Sequence, residues 1–144
     1  MTTYVPRSRS ARATGSYATI GLETEVLSAS PERLISLLFR GALTSLAQAR
    51  HHLDNNNIAE RGKAISKAID IVDSGLKAGV DTERGGEVAR LLIGSYELII
   101  RDLMLANLHS DAEKLAATEK QLGDLADAWY TAVDPQFKTP SSNG

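Results

Sequence analysis

The 144-residue chain contains no cysteine. That absence excludes disulfides and thiolate metal sites together. It also lacks a charge excess: a net charge of −2 and a pI near 5.9 give no global electrostatic footprint for nucleic acid. No apolar run approaches the roughly 18 residues of a membrane span, so no membrane insertion is expected. The N-terminal arginines have no apolar segment behind them, which argues against a secretory signal. A reducing compartment, the cytoplasm, is the expected location.

Catalytic signatures are missing as well. There is no P-loop, no G-x-G-x-x-G, no G-x-S-x-G and no H-E-x-x-H. His51 and His52 are adjacent, so on a helix they point about 100° apart and cannot readily share one ion. No histidine follows a glutamate at the three-residue spacing of di-metal bundles. Most acids have basic neighbours, as in Asp70 with Lys67, Asp73 with Lys77 and Glu119 with Lys120, which reads as solvated charge. Asp102 falls near a core edge, where a basic residue of another helix could pair with it. Arg7, Arg9 and Arg12 could touch phosphates only non-specifically. Neither catalysis nor a cofactor is expected.

What is present is helical periodicity at single-domain length. Residues 1–15 are cationic and aperiodic and are expected to be disordered. Residues 16–29 regain apolar character without a repeat and read as a docking arm. Ser30-Pro31-Glu32 starts a helix, with serine as N-cap and proline presetting φ. On it, Leu34, Ile35, Leu38, Phe39, Ala42, Leu46, Ala49 and Leu53 share one face to about residue 53. Asn57 and Glu60 resemble a capping box for a second helix over about 58–80. There Ile58, Ile65, Ile69, Val72 and Leu76 form a core stripe, beside a row of Ala64, Ala68, Ile71 and Gly75. Such a row permits close approach by another backbone, either a bundle neighbour or a partner helix. Ser110 with Glu113 predicts the start of a last helix running to about Val133, with Leu115, Leu122, Leu125, Ala126, Trp129 and Val133 inward. Asp134-Pro135 should end it, leaving residues 134–144 as a disordered tail. No segment alternates as a strand. The expected fold is an all-α, antiparallel, up-down-up-down four-helix bundle over residues 30–133.

The third helix, Gly86 to Asn107, carries more apolar surface than one bundle helix needs. Arg90, Glu97 and Arg101 collect on a narrow polar strip, with Val88, Leu92, Ile99 and Leu103 opposite as the expected core stripe. Leu91, Leu98 and Leu105 flank that stripe on one edge; Ile93, Tyr96, Ile100 and Met104 flank it on the other. The apolar arc covers about two thirds of the circumference, against roughly 100° for a helix with one wet face. Either this helix is central and almost wholly buried, or part of it awaits a partner.

The run SASPERLISLLFRGAL (Ser28 to Leu43) resembles the first helix of the flagellin secretion chaperones, the FliS family. Further landmarks follow in family order: KAISKAIDIV (Lys63 to Val72), Tyr96 with Arg101-Asp102-Leu103 and Ala106-Asn107, and Asp127-Ala128-Trp129. Many relatives carry a second arginine where this chain has Asp102. The resemblance covers about residues 17–133. It implies a cytoplasmic chaperone that binds the disordered C-terminal region of flagellin, prevents premature polymerisation and assists delivery to the flagellar export apparatus. It also implies a four-helix bundle around which the client wraps, and an N-terminal arm covering part of that surface. The expected client groove pairs Ala64, Ala68, Ile71 and Gly75 with Ile93, Tyr96, Ile100 and Met104. Tyr17 and Ile20 are the expected arm anchors. The alternative is a self-associating structural bundle, a homodimer that buries the extra arc and has no client.

Overall fold

A computed structural model describes residues 28–137, and these form four packed helices with no strand among the described residues. They are α1 (Pro31–Asp54), α2 (Ile58–Asp70, continued by a π-helical segment Ile71–Lys77), α3 (Thr82–His109) and α4 (Ala112–Ala132). Each helix packs on the next, and α4 returns against α1 to close the ring. Short links make neighbours antiparallel. Leu38, Leu46, Ile65, Val72, Ile99, Leu103 and Leu122 fill the interior from all four helices. The all-α bundle expected from the periodicity is the fold observed.

Caps explain where the helices begin. The Ser30 hydroxyl accepts from the Arg33 amide at 3.1 Å, with Pro31 in the first turn. Asn57 caps α2 by accepting from the Glu60 amide at 3.3 Å, while the Glu60 carboxylate turns to Lys63 at 3.2 Å. Asp81 opens α3 by accepting from the amides of Glu83 (3.1 Å) and Arg84 (3.0 Å). Only one turn later Gly86 breaks the helix with φ 55° and ψ −128°, a conformation open in practice only to glycine. The main length of α3 then starts afresh.

The α3–α4 turn differs from the expectation. Ser110 is not the N-cap of α4; it adopts the left-handed conformation (φ 51°) that terminates α3. Asp111 caps α4, accepting from the Lys114 amide at 3.0 Å. The serine is engaged elsewhere, because the buried Arg61 donates to its hydroxyl at 2.9 Å. Arg61 also donates to the Asn107 side chain and to the Asn107 carbonyl, each at 3.0 Å, tying α2 to the end of α3.

Two ion pairs also run otherwise than neighbour spacing suggested. Glu119 takes a two-pronged contact from Arg50 of α1 at 3.1 Å, and Lys120 turns to Asp124 instead. Asp102 lies 3.5 Å from Arg101 on its own helix, not against a basic residue of another.

Residues 134–137 do not trail away as expected. Asp134 is buried and fastens the end of α4 to the start of α1, accepting from Arg33 Nε (2.8 Å), Arg33 NH2 (3.0 Å) and the Ser36 hydroxyl (2.6 Å). Phe137 then packs on Tyr130, with the guanidinium groups of Arg33 and Arg40 over its ring at 5.0 and 4.8 Å. Sequence position concealed this clasp, because its partners lie about a hundred residues upstream.

Candidate functional site

An open apolar groove of about 570 Å³ lies where α3 begins and α4 ends. Its size falls within the roughly 300–1,000 Å³ of sites that bury a ligand. One wall is α3, with Gly85, Val88, Ala89 and Leu92. The other is α4, with Leu125, Ala128, Trp129, Ala132 and Val133. Ile35 and Phe39 of α1, Leu76 of α2 and Tyr96 of α3 also line it. The α2–α3 link adds Gly79, Val80 and Asp81 at one end, where Arg84 also stands. Among the described residues, Asp81 and Arg84 are the only charged groups in this lining, and the Asp81 carboxylate is already occupied as a cap.

Small side chains keep the walls apart. Ala128 and Ala132 lie one turn apart on α4, and on the α3 side Gly85 and Ala89 flank the break at Gly86. Larger residues at Ala128 and Ala132 would fill the space, whereas a Cβ on Gly85 would stand only 2.6 Å from that of Ala89. Val88 is 72% exposed at the mouth, whereas Tyr96 is 3% exposed. Burial pushes the Tyr96 phenol upward, and its ring forms part of the lining. Tyr130, behind the α4 wall and edge-on to Phe39, is pushed up to about 12, again chiefly by burial.

The residues expected to form a groove divide sharply. Ala64, Ala68, Ile71 and Gly75 are all buried in the bundle and are not on an accessible surface. The physical reason is the close-approach row itself, which serves α1. A Cβ built on Gly75 would stand 3.0 Å from both terminal carbons of Leu38. The bundle neighbour, not a partner helix, takes that row. Of the α3 residues, Tyr96 lines the groove, Ile93 and Ile100 are half-buried, and Met104 is 56% exposed away from it. Lys77 reaches Glu97 on the polar strip of α3 at 3.5 Å, an exposed link between α2 and α3. Tyr17 and Ile20 lie outside the described residues, as do residues 1–15 and most of the expected arm.

Periodicity predicts inward positions for Val88, Leu125, Trp129 and Val133, yet all four line the open groove. The sequence signal for this groove is the Ala128–Ala132 pair on α4, small residues like those of the α2 row. Leu91 (66% exposed) and Leu98 extend the uncovered apolar surface along α3 beyond the groove. Among the described residues no cluster of acids and histidines could hold a metal ion, and no helix is long and apolar enough to cross a membrane.

Comparison with known proteins agrees with this architecture. The family model described as "Flagellar protein FliS" matches residues 13–136. A protein named flagellar secretion chaperone FliS from Salmonella typhimurium is 46% identical over 113 residues, 78% of this chain and 84% of the relative. The Escherichia coli protein of the same name is 38% identical over 123 residues, covering 85% of this chain and 90% of its own length. Flagellar secretion chaperone FliSB of Pseudomonas aeruginosa is 40% identical over 113 residues, 78% of this chain and 89% of the relative. With a bundle of the expected helices and a match over most of its length, the chain belongs to the FliS family of flagellar proteins.

Proposed function

We propose that this chain is a flagellar secretion chaperone whose client is the disordered C-terminal region of flagellin, captured in the cytoplasm before export. The observation that carries the reading is the groove between α3 and α4, open to solvent and lined almost wholly by apolar groups. An amphipathic client helix laid along it would place apolar side chains at one-turn spacing against Val88, Leu92, Leu125 and Trp129. Ordering a flexible client costs about 2–5 kcal/mol of the gross interaction, so one groove alone is a small return. Exposed Leu91, Leu98 and Met104 along α3 offer further contacts for a client that wraps the bundle. Masking of the client's own assembly surface follows from covering it, with no chemistry required. Family membership favours capture over self-association as the use of this surface.

Titration calorimetry with a flagellin C-terminal peptide tests the proposal. Val88→Asp changes a side chain that is 72% exposed, so the fold should be unaffected. It would place a carboxylate where the client's apolar face docks, and affinity should fall at least about tenfold. Binding of the peptide by the wild type and the variant with equal affinity would place the client elsewhere. No binding by the wild type would reject this client.

A further inference from the structure

The groove's largest side chain is held by a directional hydrogen-bond chain that ends at a buried carboxylate. Trp129 donates its indole N–H to the Ser36 hydroxyl at 3.0 Å. Ser36 is fully buried and has one proton to give. The Asp134 carboxylate accepts at 2.6 Å, whereas the Glu32 carbonyl lies 3.4 Å away. The proton therefore goes to Asp134, leaving the serine lone pairs for the indole, which can only donate. Arg33 fixes the carboxylate with two contacts of its own, at 2.8 and 3.0 Å. The sequence of donors runs one way only: indole to serine to carboxylate, with the guanidinium closing the far end.

We propose that Ser36 and Asp134 are positioning residues for the groove, fixing the Trp129 indole as part of its α4 wall and thereby setting affinity for an apolar client helix. The affinity part rests on the client reading above; the positioning part does not. Trp129 is half-buried, with one side on α1 and the other on the groove, so its ring has room to turn if the N–H is released. A turned ring either fills the groove or leaves its wall open, and both outcomes weaken a complementary client. Ala128 and Ala132 beside it cannot substitute, since neither reaches across the space.

Trp129 is the only tryptophan in the chain, so a single indole N–H resonance reports on it. In the wild-type protein that proton should exchange with solvent far more slowly than a free indole; exchange at the free rate would overturn the proposal without any variant. Ser36→Ala should abolish the protection while core amides stay protected. With a flagellin C-terminal peptide as probe, Ser36→Ala should weaken binding about five- to tenfold. In a Trp129→Phe background the same change should have almost no effect, because its route to the groove is gone. A merely structural serine would weaken binding equally in both backgrounds, and that result would overturn the assignment. If the wild type fails to bind the peptide, the client reading and the affinity effect fall together, while the exchange measurement still decides the positioning.

Discussion

Asp134 is the residue at which charge, burial and chain closure meet. Its carboxyl is held below the usual carboxylate range, first by the Arg33 hydrogen bonds, with Ser36 assisting and burial opposing. A depressed value in the fold means that the unfolded chain takes up protons first as pH falls. The stabilisation is therefore fully present above the ordinary value of about 3.9 and is lost as pH drops through the folded value. Asp134→Asn removes it. Urea midpoints measured against pH should show the variant less stable near neutrality, with the difference from wild type shrinking below about pH 4. A constant difference at every pH would assign the loss to packing and not to charge. Arg61 shows the other pattern of buried charge: it donates to the neutral groups of Asn107 and Ser110 and acts as a brace for the α3–α4 turn.

At the scale of elements, helix identity was legible and helix facing was only partly so. Ser30-Pro31 and Asn57 start α1 and α2 where local capping chemistry says they should. Leu38, Leu46, Ile65, Val72, Ile99 and Leu103 are buried as their periodicity requires. The π segment of α2 was not legible. The wider i→i+5 turns run over Ile71–Lys77, where Ile71, Val72, Gly75 and Leu76 are all buried. Val88 illustrates the main failure: its position on a helical wheel points inward, but helix ends outrun their neighbours and leave such residues uncovered. Small residues were equally ambiguous, since the Gly75 row marks contact with α1 while Ala128 and Ala132 mark a gap. A wheel shows that a backbone can be approached, not by what. Gly86 supplies the test at this scale. Its positive φ, with no side-chain crowding nearby, makes backbone strain the whole cost of substitution. Gly86→Ala should destabilise the protein by roughly 1–3 kcal/mol and lower its melting temperature. It should also weaken peptide binding, because Gly85 and Arg84 of the preceding turn line the groove. An unchanged melting temperature would mean that the break in α3 is not maintained in solution.

The whole molecule is a closed bundle that spends its small-residue contacts on internal packing and leaves one end of the α3–α4 seam open. The surplus apolar arc of α3 is thereby divided: Ile99 and Leu103 serve the core, Val88 and Leu92 the groove, and Leu91 and Leu98 the surface beside it. Among the described residues, the surface left for a partner is the groove that α3 shares with the end of α4. Because the chain has no cysteine, a thiol can be placed at any one position and read without background. Single variants Val88→Cys and Ala132→Cys put it on opposite walls of the groove, and Gln48→Cys puts it on the exposed face of α1. Thiol labelling rates are then compared with and without a saturating flagellin C-terminal peptide. If the client lies in the groove, positions 88 and 132 are strongly protected and position 48 is not. Bound peptide with unchanged labelling at both groove positions would contradict that placement.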